Sequence, residues 1–263
     1  MNWRLYLDLN YENVRWAARA DGQWRSNGSL DWQVAEAQTT LDPSIFMVGR
    51  ILAECKKQGL SAQACDGVLQ ADRSGRAAGV PPALRGGLKC PVRFLENETI
   101  EMKGAALTDE FAIERVTLAL AAYHLHGGPV IALEMDDLVA TSVVSADGTY
   151  LGGHVGPGST ATWEGMTEVN PGLIEAYDAP LPPGPPSMMG RTTAEAMRMG
   201  LVLVIRTLAL SFTGICRSSL GVPDALVVIT GSEAEFNRDT VPGPVCVNPL
   251  LMFEGMRLID GYE

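Results

Sequence analysis

Two acids stand at matching places in this 263-residue chain, each where backbone amides could gather around an anion. Asp8 lies late in the alternating run Arg4-Leu5-Tyr6-Leu7-Asp8-Leu9, and Glu134 lies late in Val130-Ile131-Ala132-Leu133-Glu134-Met135. Thirteen residues after each comes the aspartate of an Ala-Asp-Gly turn, Asp21 and Asp147. An acid on a strand followed by a tight loop is a place where a fold can aim N–H groups at phosphate. The other chemistry-bearing residues are scattered. His124 and His126 form a His-x-His pair without an evident third ligand, whereas Cys/His zinc sites take four. His154 sits beside a glycine-rich stretch, either at a cleft or on a solvated loop. Cys55, Cys65, Cys90, Cys216 and Cys246 are odd in number and lack CxxC spacing, which reads as scattered reduced thiols, with metal or disulfide use as the alternative.

The elements that must position these acids repeat. Arg4–Leu9 and Val14–Arg19 alternate as half-buried strands and close on Ala20-Asp21-Gly22, where glycine supplies the positive φ of a hairpin turn. Shifted by 126 residues, Val130–Met135 and Val139–Ser145 close on Ala146-Asp147-Gly148, and Trp24 and Tyr150 follow at equivalent positions. Two unrelated hairpins could share an Ala-Asp-Gly turn, but the common spacing and common acid favour a duplicated unit. Two such units facing each other are how actin-like, RNase H-like ATPase folds build a nucleotide cleft. The expected fold class is therefore α/β, two mixed sheets with flanking helices. The Ala/Leu-rich segment from Glu114 to His124 reads as a helix ended by Gly127-Gly128-Pro129, and the domain break is placed at its start: 1–113 and 114–263. Thr192-Thr193-Ala194-Glu195 is a capping box opening a long apolar helix to about Thr213. Asp224 to Thr230 reads as a strand, and the prolines between Asp178 and Gly190 as a stiff spacer.

Composition excludes several classes. Twenty Lys and Arg against 31 Asp and Glu give a formal charge of −11, which repels nucleic-acid backbones and anionic membrane surfaces. A hydrophobic fraction of 46% with 19% charged residues is a globular balance. Met1-Asn2-Trp3-Arg4 leads straight into a strand without an apolar signal core, and the apolar stretch Leu201–Ile215 carries Arg206 and is too short to span a bilayer. The expectation is a cytoplasmic protein.

The second half resembles the type III pantothenate kinases. Glu114-Arg115 stands where that family has Gly-x-Asp-Arg, and Ser145–Gly153 with Gly156-Pro157-Gly158 follows its second hairpin. Gly190-Arg191-Thr192-Thr193-Ala194-Glu195-Ala196-Met197 resembles its Gly-Arg-Asn-Thr-x-Glu-Ala-Met, Thr230-Gly231-Ser232 its Thr-Gly-Gly, and Phe253–Ile259 its closing Glu-Gly-Leu-Arg-Leu helix. The likeness runs through residues 112–263; over 1–111 it rests on Asp8, the hairpin and Gly86-Gly87-Leu88. The resemblance implies two RNase H-like domains of the actin-like ATPase superfamily and a homodimer. It also implies ATP-dependent phosphorylation of pantothenate, the first step towards coenzyme A, with a divalent metal and a monovalent cation. Glu114 takes the position of the general base that deprotonates the pantothenate hydroxyl as it attacks the γ-phosphate. Arg115, Thr193 and Gly152 fall on the substrate side, and Asp8 and Glu134 face the nucleotide and its cations.

The departures fall on the phosphate loops. Where the family reads Asp-x-Gly-Asn-Thr this chain has Asp8-Leu9-Asn10-Tyr11-Glu12, and where it reads Asp-x-Gly-Thr this chain has Glu134-Met135-Asp136-Asp137. Phosphate loops use glycine for close backbone approach and hydroxyl or N–H donors. Asn10 can take the left-handed conformation such a turn wants, Tyr11 is bulky, and Glu12, Asp136 and Asp137 bring negative charge. A carboxylate about 4 Å from a phosphate charge costs on the order of 4 kcal/mol at an effective dielectric near 20, roughly a thousandfold in affinity. Glu114 is a methylene longer than the family's aspartate and Ala112 replaces its glycine, while Arg115 either ties its helix to an acidic neighbour or meets ligand. The expectation is a family member without ordinary kinase activity, a pseudoenzyme. It would be a homodimer or a heterodimer with an active paralogue, serving as a regulatory subunit or acting on another small molecule. The alternative is an active pantothenate kinase that uses relocated carboxylates and metal. The segment from Phe94 to Glu101 is an acidic insertion, either a surface excursion or part of a substrate entrance.

Overall fold

In the computed structural model the described residues are 1–40, 42–72, 80–96, 100–107, 110–178 and 189–262. Most of the proline-rich spacer and the centre of the acidic insertion, Asn97 to Thr99, lie outside them.

The N-terminal sheet is built from β1 (Trp3–Leu9), β2 (Asn13–Ala20) and β3 (Gln23–Asp31), an antiparallel meander. After α1 (Trp32–Gln38) and α2 (Pro43–Lys57) come β4 (Cys65–Asp72), α3 (Val80–Gly87) and β5 (Val92–Phe94), with β4 and β5 parallel to β1 in the order β3-β2-β1-β4-β5. The period-2 pattern of β1 sends Trp3, Leu5, Leu7 and Leu9 to one face, where they meet Met47, Val48, Ile51 and Cys55 of α2 and Val80 and Leu84 of α3. Each such fully buried side chain contributes about 1.5–3 kcal/mol of transfer free energy. Asp42 and Pro43 start α2 as N-cap and first helical residue, and the Asp42 carboxylate accepts from the Ser44 amide at 2.8 Å. The first hairpin turns at Asp21 (φ 49°) and Gly22 (φ 70°), the geometry its Asp-Gly sequence called for.

After α4 (Glu110–His126) the pattern is repeated. β6 (Val130–Met135), β7 (Leu138–Val144) and β8 (Tyr150–Gly152) form an antiparallel meander, with β9 (Val155–Pro157) also pairing β7. Three helices follow, α5 (Ser159–Val169), α6 (Gly172–Asp178) and α7 (Thr193–Leu220). Then β10 (Leu226–Thr230), the short α8 (Ala234–Asn237) and β11 (Val245–Val247) extend the sheet in parallel, giving β11-β10-β6-β7-β8. This is the N-terminal strand order again. The closing helix α9 (Leu251–Asp260) returns to the first sheet: Phe253 packs on Trp24, Trp24 donates to Glu254 at 2.6 Å, and Tyr6 donates to the buried Asp260.

Two compact units result, Met1–Leu125 with Leu250–Glu263, and His126–Pro249. The division falls at the end of α4, not at its start as the sequence suggested, and α9 joins the first unit. The physical reason is helix packing: Gly255 of α9 sits so close to α4 that a Cβ there would lie 2.4 Å from the Thr117 carbonyl oxygen.

In the second unit α7 runs 28 residues, past the expected end near Thr213, and stops at Gly221 in the left-handed conformation (φ 65°). By length and composition it could cross a membrane, which the shorter Leu201–Ile215 stretch suggested it could not. Ile205, Ala209 and Cys216 pack it against Ile131, Leu133 and Val143 of the sheet, the behaviour of a helix docked on a protein core. Only 22% of its most apolar 18-residue stretch is buried, so one face stays open.

Candidate active site

In the first unit the β1–β2 loop is the three residues Asn10–Glu12. Asp8, fully buried, lies opposite Arg15 in the hairpin ladder. Arg15 Nε donates to Asp8 Oδ2 at 2.9 Å, and a terminal guanidinium nitrogen donates to the same oxygen. Arg15 is itself only 8% exposed, so this is a buried, charge-assisted pair. Sequence reasoning missed Arg15. The available signal was register: with a short loop after Leu9, Leu9 faces Val14 and Asp8 must face Arg15.

The loop is fastened from beneath by Trp32, the first residue of α1. Its indole N–H donates to the Asn10 carbonyl at 3.1 Å, and its amide donates to the Glu12 carbonyl at 2.9 Å. Asp31 places Trp32 there by capping α1, accepting from the Gln33 and Val34 amides. The Asn10 amide donates to the Asn13 carbonyl at 2.8 Å, and its side chain is buried against Asn13. The left-handed conformation anticipated for Asn10 does not occur; Asp21 is the one non-glycine residue with positive φ among the described residues. The hydrogen bonds to Asn13 and Trp32 close the turn without it. Tyr11 and Glu12 point outward, Tyr11 with 45% of its surface exposed.

Glu114 also belongs to this unit. It lies on α4, 4% exposed, between the buried Ala112 and Val116, and the neighbouring Arg115 is half-buried.

In the second unit three connections converge. The β6–β7 turn holds Asp136 and Asp137, the β9–α5 connection holds Gly158 with Ser159 opening α5, and the residues after β10 are Gly231, Ser232 and Glu233. A Cβ on Gly158 would sit 2.1 Å from the Asp136 carbonyl oxygen, and one on Gly231 would sit 2.2 Å from that of Met135. Gly231 also has φ 102°, so only glycine serves there. The Gly158 amide donates to the Asp137 carbonyl at 2.9 Å, and the Glu233 amide to that of Met135 at 3.1 Å. The hydroxyls of this cluster are turned to carboxylates: Ser232 Oγ donates to Asp136 Oδ1 at 2.7 Å, and Ser159 Oγ donates to Glu233 Oε1. Asp136 is 5% exposed. Glu134, 4% exposed, pairs in register with Ala140 on one side and Thr230 on the other.

The remaining expected site residues lie on other elements. Gly152 (φ 94°) is in β8, and Thr193 is exposed at the first position of α7. Behind Thr193 the capping box is formed, with the Glu195 amide donating to Thr192 Oγ at 3.2 Å and the Thr192 amide to Glu195 Oε2 at 3.1 Å. Thr193 lines an open groove of about 510 Å³ with Thr162, Met166, Gly190 and Met197. His154 is committed to packing: its ring stacks on Phe212 with centroids 5.0 Å apart, and its amide donates to Thr141 Oγ1 at 3.0 Å. His124 and His126 are exposed at the end of α4, two residues apart and so on different faces. Among the described residues no group of three or more His, Cys, Asp or Glu could hold a metal ion.

Two units with one strand order, each an antiparallel meander extended by parallel strands and flanked by helices, have the arrangement of an actin-like ATPase fold. Solved structures of this kind include a protein described as a Baf-family transcriptional activator from Campylobacter jejuni, 15% identical, with a TM-score of 0.52 over 98% of this chain and 97% of that one. Another is component A of the (R)-2-hydroxyglutaryl-CoA dehydratase of Acidaminococcus fermentans, 13% identical, with a TM-score of 0.51 over 97% and 95% of the two chains. At such identities the likeness is one of fold alone.

The chain is similar in sequence to the type III pantothenate kinases. Residues 83–212 match that family's profile. A type III pantothenate kinase from Roseiflexus sp. (strain RS-1) is 32% identical over 154 residues, 59% of this chain and 58% of that protein. One from Thermomicrobium roseum is 32% identical over 59% of this chain and 57% of its own length, so the chain spans little more than half of these relatives. One from Acidothermus cellulolyticus is 29% identical over 242 residues, 87% of this chain and 88% of that protein.

Proposed function

We propose that this chain is a pantothenate kinase-like protein whose phosphate loops no longer support ordinary ATP-dependent phosphorylation of pantothenate. It would act as a regulatory or partner subunit, or on a different small molecule, in the cytoplasm. One observation carries the reading: the hydroxyls beside the second loop donate to carboxylates of the protein, Ser232 to Asp136 and Ser159 to Glu233, where a phosphate site needs free donors. A phosphate entering there would meet carboxylate charge and displace hydrogen bonds already made. A single such carboxylate about 4 Å away costs on the order of 4 kcal/mol at an effective dielectric near 20. In the first loop the glycine and hydroxyl positions of the family pattern hold Asn10 and Glu12.

The test is direct. Purified protein with ATP, Mg²⁺ and pantothenate should form no 4′-phosphopantothenate above the protein-free control, and calorimetric titration with ATP should give no binding heat. Sustained ATP-dependent phosphorylation would overturn the proposal.

The alternative, an active kinase, is favoured by one feature: the buried Arg15 puts a cation at the base of the first loop. Asp8, Glu134 and Glu114 would then keep the nucleotide-facing and base roles, with Arg115, Thr193 and Gly152 on the substrate side. That reading requires ATP binding heat that appears on adding Mg²⁺ or Mn²⁺.

The open face of α7 supports a second copy of the chain as partner, with Leu203, Leu210 and Ile215 each more than 40% exposed. Light scattering on a gel-filtration column should report a dimer, and Leu203→Glu with Leu210→Glu should give monomers. Co-expression with an active paralogue separates the homodimer from the heterodimer.

A further inference from the structure

The first unit holds a pair of thiols that no expected role explains. Cys65 opens β4 and is 6% exposed; Cys90 precedes β5 and is half-buried. Their sulfurs are 3.6 Å apart, with the Cys90 thiol donating to Cys65 Sγ and the Cys65 thiol to the Gly67 carbonyl at 3.5 Å. The backbone brings them together. Val68 pairs with Val92, the Val68 amide donates to the Pro91 carbonyl at 2.9 Å, and the β1–β4 ladder shifts register between Cys65 and Gly67. Cys90 therefore sits beside the irregular start of β4, on a neighbouring chain segment at strand spacing, the separation that disulfides bridge.

We propose that Cys65 and Cys90 are an oxidative modification site, forming an intramolecular disulfide that staples edge strand β5 to β4. The oxidant is a low-molecular-weight disulfide such as oxidised glutathione. The half-exposed Cys90, as thiolate, attacks one sulfur of the oxidant, forming a mixed disulfide and expelling one glutathione thiolate. Cys65 then loses its proton to solvent and attacks Cys90 Sγ, forming the Cys65–Cys90 bond and expelling the second glutathione thiolate. Two protein thiols are oxidised, and one glutathione disulfide is reduced to two thiols. Accessibility sets the order, because Cys65 is covered and Cys90 is not. Burial pushes both thiols above the usual cysteine range, so the reaction is slow at neutral pH and accelerates as the pH rises. The site lies at the far end of the sheet from the first loop: Cys65 pairs with Trp3, five residues along β1 from Asp8, about 16 Å at strand rise. It is a clamp on the fold, separate from the first loop. β5 has only three residues in register with β4, so a covalent tie there closes a weakly held edge.

The test uses the full chain with oxidised glutathione as probe. Titration of free thiols in denaturant should fall from the five cysteines of the reduced chain to three, with loss of two hydrogens in mass and a cross-linked Cys65–Cys90 peptide. The thermal midpoint should rise by a few degrees, about 5 °C, and return with dithiothreitol. Cys65→Ser should stop at a glutathione adduct on Cys90, Cys90→Ser should keep all its thiols, and Cys246→Ser should still lose two. Retention of all five thiols, a persistent glutathione adduct in the unsubstituted chain, or disulfides between chains would overturn the assignment.

Discussion

In the first unit the hairpin acid Asp8 faces Arg15 across the ladder; in the second, Glu134 faces Ala140. The strands are ordered identically, yet the loop after Asp8 is held by Trp32 from a helix, while the loop after Glu134 is held by backbone crowding at Gly158 and Gly231 and by Ser232. The one-residue difference in register decides which side chain meets the acid, so a duplicated backbone does not duplicate the electrostatics. The first unit carries an internal counter-charge for its acid, and the second turns its hydroxyls to other carboxylates, Asp136 and Glu233.

The largest expected effect tests that counter-charge. Arg15→Met leaves Asp8 buried without its cation and should cost about 3–5 kcal/mol of stability. Trp3, Trp16, Trp24 and Trp32 are in the first unit and Trp163 is in the second, so tryptophan fluorescence in urea reports mainly on the affected half. Adding Asp8→Asn should recover most of the loss. If Arg15→Met alone is nearly neutral, the pair is not what holds the hairpin.

The second loop gives the next effect, in affinity. Asp136→Gly with Asp137→Thr restores the family's pattern, removes two carboxylates and frees the Ser232 hydroxyl. ATP affinity measured by calorimetry should rise by roughly ten- to a thousandfold, about 1.4–4 kcal/mol. The matching change in the first loop, Glu12→Thr, should do less, because Glu12 is exposed and its charge is screened. Equal gains from both loops would erase the contrast between the units.

Much of this architecture was legible in the sequence because it is local. Alternation fixed the strands, the Ala-Asp-Gly turns closed where expected at Asp21 and Gly148, and the Thr192–Glu195 capping box started α7. What was not legible depends on distant partners. Assigning α9 to the first unit required its packing on Thr117 and Trp24, and the extra turns of α7 continued through Gly214 because Cys216 and Arg217 are buried beyond it. In the candidate site, the loop departures were visible as residue types, but Ser232 on Asp136 and Ser159 on Glu233 join residues 96 and 74 positions apart. Arg15 was the exception, a partner deducible from hairpin register alone.

Ser232→Ala removes a hydroxyl bond to a buried carboxylate and should cost about 2 kcal/mol, within the range for hydrogen bonds to charged groups. Because the second unit holds only Trp163, circular dichroism in urea is the appropriate readout, and Ser232→Thr should restore much of the loss if the hydroxyl is what matters.

Trp32→Phe sharpens the comparison at its smallest scale. It keeps the buried ring and removes the indole N–H that donates to the Asn10 carbonyl, while the backbone bond from residue 32 to the Glu12 carbonyl survives. A neutral hydrogen bond is worth about 1 kcal/mol net. The loss should therefore be clearly below that of Ser232→Ala, where the acceptor is charged. The other three tryptophans of the first unit keep the fluorescence readout intact. A penalty for Trp32→Phe larger than that for Arg15→Met would mean that the first loop depends more on its helix anchor than on the Asp8–Arg15 pair, reversing the order of importance assigned to the two.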